Sequence, residues 1–219
     1  MKYALPETLL LAVLALLSGS CGLLPLNAAG VERPSGSVLF QDEFSDPSSG
    51  WDRRPQDPAG FLDYSEGVYR IQAIGVEKLV WAGPDLTFTD AHFEVEATRV
   101  AGPEDDDFGL VCRAVDPANF YFFAISSDGY YGIGKVRDGV PELVGMAAMP
   151  PSEAIRQGND RNHLRAECVG ENLSLYVNGI LLAVVQDAEF SAGETGLFVG
   201  TFETPGSEVH FDNFAVLQP

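Results

Sequence analysis

The sequence predicts an all-β fold, a two-sheet antiparallel jelly-roll sandwich with one short helix. Three observations carry that prediction. Short apolar runs rich in Val, Ile, Phe and Tyr recur along the chain, bounded by Gly, Pro, Asn and Asp. Asp128-Gly129 and Asn178-Gly179 stand between such runs, and a two-residue hairpin turn needs the positive φ that Gly allows and Asn or Asp tolerates. Phe120, Tyr121, Phe122 and Phe123 are consecutive, so one strand carries large aromatics on both faces, which suits the interior of two packed sheets.

The chain has 219 residues, 46% of them hydrophobic, and a formal charge of −19. With an N-terminal segment set aside, that is enough chain for one domain with its own core, and it excludes wholesale disorder. Nucleic acid is excluded as a partner, because phosphate binding needs clustered Lys and Arg. An acidic surface suits a protein outside the cell and supplies carboxylates for calcium.

The first residues read as a signal sequence over 1–20. Lys2 gives a thin positive region and Leu9–Leu17 an apolar stretch too short to span a bilayer comfortably. Ser18-Gly19-Ser20-Cys21 resembles a bacterial lipobox, with Leu17 one place early, and predicts a lipid on Cys21 as the membrane anchor. Cleavage near Asn27-Ala28-Ala29 would instead release a soluble secreted protein. Residues 21–36 then form a tether, and the jelly-roll domain occupies 37–219.

Within the domain the expected strands follow in order. Ser37–Phe40 opens it, and a loop rich in Ser, Asp and Pro leads to Trp51. Val68–Ile71 and Leu79–Trp81 are short strands. In Ala91–Ala97 the residues Phe93, Val95 and Ala97 alternate with Glu94 and Glu96, the pattern of a half-buried antiparallel strand. Phe108–Ala114, Phe120–Ser126 and Tyr130–Val136 make a central meander, followed by a short strand at Glu142–Val144. Pro150–Gly158 is the expected helix, with Ser152 as N-cap and Gly158 as its stop. Leu164–Val169, Leu173–Val177, Ile180–Val185, Gly196–Phe202 and Val209–Leu217 complete the set, the last pairing with the first.

Of three cysteines, Cys21 is taken by lipid, which leaves Cys112 and Cys168 for a disulfide in an oxidising compartment. Were their strands neighbours, the closed loop of 56 residues would contribute on the order of 4 kcal/mol. Two separate buried thiols are the alternative.

Asn162-His163-Leu164-Arg165 with Leu173–Gly179 resembles a strand pair of laminin G-like and concanavalin A-like jelly rolls, as do Asp42-Glu43-Phe44 and Phe211-Asp212-Asn213-Phe214. The run NFYFFAISSDGYYGIGKV resembles uncharacterised exported jelly-roll domains of bacterial lipoproteins. The resemblance covers about residues 37–218. It implies a fold shared by lectins, glycosidases and adhesion modules, and, at Asp42 and Asp212, a structural calcium such as β-glucanases of that superfamily hold.

The candidate sites follow from chemistry. Trp51, Trp81, Tyr121, Tyr130, Tyr131 and Tyr176 are the aromatics suited to stacking on a sugar, with Arg113, Arg137 and Asn119 as polar partners. In a sandwich each could equally be core. Glu104–Asp107 is a second possible calcium rim or a solvated charge run. Glu94 and Glu96 share one face, but the catalytic glutamate pattern of the glucanases is missing. His92, His163 and His210 lack metal-site spacing. The sequence therefore points to a non-catalytic cell-surface module that binds carbohydrate. Its partner is a glycan or a cell-surface protein, and the membrane is reached only through the anchor. A structural or protein-interaction module is the second reading and a glycoside hydrolase the third.

Overall fold

A computed structural model describes residues 34–58 and 60–219. The expected signal sequence, Cys21 and most of the tether lie outside the described residues.

Among the described residues, sixteen strands form two antiparallel sheets. Sheet A has nine, in the order β14 (Ile180–Gln186), β13 (Asn172–Val177), β12 (Asn162–Val169), β7 (Ala91–Ala101), β16 (Ser207–Leu217), β4 (Val68–Ala73), β3 (Gly60–Ser65) and β2 (Arg54–Asp57). β1 (Val38–Asp42) also lies on β16, beyond a bulge that separates it from β4. Sheet B has seven: β11 (Val140–Leu143), β10 (Tyr131–Arg137), β9 (Asn119–Ser126), β8 (Asp107–Asp116), β15 (Gly193–Gly200) and β5 (Leu79–Ala82), with β6 (Thr87–Phe88) also on β15. First and last strands pair, as expected.

The period-two alternation of the strands fills the space between the sheets. Phe93, Val95 and Ala97 of β7, Leu164 and Ala166 of β12 and Phe211 of β16 face Leu110 of β8, Phe123 and Ile125 of β9 and Leu197 of β15. At one end Phe44, Trp51, Tyr69 and Phe214 form an aromatic cluster, and the Phe44–Trp51 and Trp51–Phe214 rings meet edge to face. Trp51 is thus core.

Four expectations change. Cys112 and Cys168 are bonded, but their strands are not neighbours: β8 and β12 belong to different sheets, and the bridge crosses the sandwich. No helix occurs among the described residues. The Pro150–Gly158 segment finds its backbone partners elsewhere, with Ser152 N donating to Gly129 O, Gly158 N to Ser127 O and Arg156 N to the Asn162 side chain. Ser152 does accept from Ala154 N as a cap would, and Ile155 plugs into the core, but no helical ladder follows. The Asp128-Gly129 turn has three loop residues, Ser127 to Gly129, because Ser126 N bonds Tyr130 O and Tyr131 pairs with Ile125; only Gly129 carries positive φ, at 101°. Finally, β2, β3 and β6 arise where no strand was expected. Pro55 and Pro58 hide β2 and β3, although the Leu62/Tyr64 against Phe61/Asp63 alternation of β3 is regular.

Candidate functional site

The two sheets present opposite kinds of outer surface. On sheet A the outward residues of β7, β12, β16 and β4 are mostly polar or charged, and many of the charges pair with one another. Arg70 grips Glu208 through two nitrogens, at 2.6 and 2.8 Å. Arg161 reaches Glu96 at 2.6 Å, and Asn213 donates to the same oxygen. Arg165 bonds Glu167 and lies over the Tyr176 ring. The hydrogen bond to His163 holds Glu94 below the usual carboxylate range, outweighing its burial. Burial pushes Glu96 up, but Asn213 and Arg161 reverse that and leave it lowered. Both carboxyls are therefore ionised near neutrality, and neither is stored as the protonated acid that a retaining glycosidase requires.

On sheet B the outward residues are apolar. Phe120 and Phe122 of β9, Val111 of β8, Val136 of β10 and Phe198 of β15 form a second hydrophobic cluster with Leu79 and Trp81 of β5 packed against it. Such a pavement needs floor space. At Gly134 a Cβ would sit 2.2 Å from the Phe122 ring, so only glycine there lets that ring lie across β10. Trp81 meets Phe120 with centroids 5.8 Å apart.

This face forms a groove. A cavity of about 520 Å³ is floored by Leu79, Phe120, Phe122 and Phe198 and rimmed by Phe202, Pro141, Glu77, Lys78 and Asp107. Leu79 and Pro117 are shared with a second hollow of about 670 Å³, which holds Trp81, Arg54, Asp52, Asp116 and Glu194. Arg54 donates to the Trp81 carbonyl. Beyond Asp107 a third hollow of about 220 Å³ is lined by Asp105, Asp128, Tyr130 and Met149. An aromatic floor with polar groups gathered at both ends is the usual composition of a ligand site.

Consecutive aspartates divide between structure and groove. Asp106 is 1% exposed and accepts from Phe202 N at 3.1 Å, fixing the loop whose Phe202 ring is 46% exposed at the rim. Asp107 keeps only part of its surface in the cavities. Burial pushes it up to about 7, and Asp106, Asp128 and Asp105 add repulsion in the same direction.

The residues expected to bind a ligand scatter. Trp81 and Tyr130 line the groove system. Tyr121 is buried in the core, its OH donating to Asp187 and accepting from Phe190 N; burial, with the Asp187 bond, raises it to about 12. Arg113 is buried and spends its guanidinium on Thr89 O, Gly170 O, Phe190 O and Asp90. Tyr131 packs against the core edge. Arg137 stands exposed near Glu142 and Glu189, and Asn119 caps its own hairpins through Asp116 and Asp138. Tyr176 lies on sheet A. Of the residues expected to hold calcium, Asp42 is buried and accepts from Phe44 N and Ser49 Oγ. Asp212 pairs in register with Glu96 of β7. The Phe side chains of the groove and Asp107 were not among the expected ligand contacts. Their signal lay in the Phe120–Phe123 run, whose even members face outward.

No family model and no curated protein matches this chain. Solved structures do. The carbohydrate-binding module CBM66 from Bacillus subtilis aligns with a TM-score of 0.59 at 19% identity, covering 75% of this chain and 96% of that one. A protein of unknown function with a galectin-like fold, also from Bacillus subtilis, gives 0.61 at 14% identity over 84% and 97%. The laminarinase catalytic domain from Thermotoga maritima gives 0.57 at 11% identity over 85% and 99%. The chain therefore has an all-β jelly-roll sandwich fold like these proteins, and the likeness extends to fold alone.

Proposed function

We propose that this protein is a non-catalytic carbohydrate-binding module, exported and anchored at the cell surface through Cys21, and that the groove on the outer face of sheet B takes the sugar chain. The observation that carries the reading is the aromatic floor with polar groups at its ends. The C–H faces of sugar rings pack on Trp81, Leu79 and Phe202, while hydroxyls turn to Asp107, Lys78, Glu194 and Asp116. The fold shared with a carbohydrate-binding module supports it. Sheet A offers less, because its charged groups are already paired with one another. The test is a glycan array with the full-length protein, run with calcium and again with chelator. Selective capture of a few glycans is the expected result. Chelator sensitivity would bring the calcium expectation back to Asp42 and Asp212, and a blank array would move the function to a protein partner.

A further inference from the structure

We infer that Asp107 selects the ligand of this groove, and that the ligand is an uncharged sugar chain whose hydroxyls bond the Asp107 carboxyl where two cavities meet. The inference rests on the carbohydrate reading and deepens it.

The geometry is specific to this residue. Asp107 lines both the 520 Å³ and the 220 Å³ cavity. Among its neighbours, Asp106 accepts from Phe202 N through Oδ1 while its Oδ2 is buried without a partner, Asp128 bonds Ser126 Oγ, and Ser126 Oγ in turn accepts from Tyr130 N. The Asp107 carboxyl accepts no hydrogen bond and pairs with no cation among the described residues, an uncommon state for a poorly solvated acid. Space beside it is open, because the nearest residue of β15 is Gly200, where a Cβ would come within 3.7 Å of the Asp107 Cβ.

Charge narrows the class. The groups facing Asp107 are Asp105, Asp106 and Asp128 from the loops at its own end, and Glu77 and Lys78 across the larger cavity. One lysine against four carboxylates disfavours an anionic sugar. A hydroxyl, by contrast, can both accept from a protonated carboxyl and donate to an ionised one. The raised Asp107 then fixes the sign of the pH dependence. Below about 7 the carboxyl holds its proton and donates. Covering it with an uncharged ligand removes its remaining water and further disfavours the ionised form. Affinity for an uncharged sugar should be full on the acid side and fall as pH rises through neutrality. A sugar carrying a permanent positive charge would show the opposite slope.

The experiment is calorimetric titration of the full-length protein with gluco-, xylo-, fructo- and galacto-oligosaccharides. Oligosaccharides of N-trimethylated chitosan, whose charge does not titrate, serve as the cationic comparator and oligogalacturonate as the anionic one. Each is measured between about pH 5.5 and about pH 8.5, for wild type and Asp107→Asn. The expected result is an uncharged oligosaccharide whose Kd rises at least about tenfold across that range, with Asp107→Asn holding its Kd nearly constant. Wild type binding with no pH response, an unchanged response in Asp107→Asn, or tighter binding of the trimethylated chitosan as pH rises would each overturn the assignment while leaving the carbohydrate reading in place. If wild type binds none of the panel, both fall together.

Discussion

The outer faces of sheets A and B are built from the same strand geometry and reach opposite solutions. On β7 and β12 every outward position from His92 to Thr98 and from His163 to Glu167 is polar, and its charges close on one another. On β9 and β15 the outward positions are Phe120, Phe122 and Phe198, with a carboxyl at the rim that nothing satisfies. A face whose groups are mutually paired has little left to offer a ligand. An apolar face with an unpaired carboxyl at the rim of a groove has a reason to bind.

The largest expected difference between the faces is in stability. Phe198 is 1% exposed although it points away from the main core. Phe198→Ala should cost about 3–5 kcal/mol, read from the urea midpoint. A loss under about 1 kcal/mol would mean that the sheet B pavement is surface rather than core. Next comes the link between the sheets. Reducing Cys112–Cys168, or replacing both with Ala, should lower stability by roughly 2–4 kcal/mol, and the effect should be absent from a reductant titration of the double Ala variant.

The sequence made the sandwich legible because alternation and turn chemistry are local. The Phe93/Val95/Ala97 stripe assigns β7 to a face without help from any other strand, and Asn178-Gly179 forms the primed turn expected, with both residues at positive φ. The disulfide was legible as a pair but not as a bridge between sheets, since strand order comes from long-range pairing. The groove was hidden for a related reason. Consecutive aromatics announce that both faces of β9 are apolar. Only the packing of β10, β15 and the Phe202 loop decides that Tyr121 lies inside while Phe120 and Phe122 floor a cavity. Tyrosines and arginines drew attention by their polar tips, yet those of Tyr121 and Arg113 are spent inside the fold. The Asp105-Asp106-Asp107 run looked uniform; the alternation of facing that separates a structural from an available carboxyl needs the strand's position in the sheet.

A smaller effect sharpens the contrast at Asp107. Its carboxyl is raised from 3.8 to about 7 in the folded protein. Its favourable contribution is therefore complete below the unfolded value and is lost as pH rises through about 7. Asp107→Asn should accordingly stabilise the protein by on the order of 1–3 kcal/mol at about pH 8 and by little at about pH 4. Thermal melts at the two pH values check this, and an equal shift at both would show that the effect is not one of ionisation. The smallest effect belongs to sheet A. Glu94→Gln removes one member of a partly exposed ionic lattice and should cost under about 1 kcal/mol, declining further in high salt. A cost of several kcal/mol would show that the lattice is as structural as the pavement opposite.

The most direct test of the account is to locate the sugar on one face. Phe202→Ala, on the exposed rim of the sheet B groove, and Tyr176→Ala, on the outer face of sheet A, are compared with wild type on the glycan that the array captures best. The account predicts that Phe202→Ala weakens binding about tenfold or more, in line with roughly 1–2 kcal/mol for a lost aromatic contact, while Tyr176→Ala leaves it unchanged. The reverse pattern, with Tyr176 required and Phe202 dispensable, would place recognition on the ionic face and contradict the account.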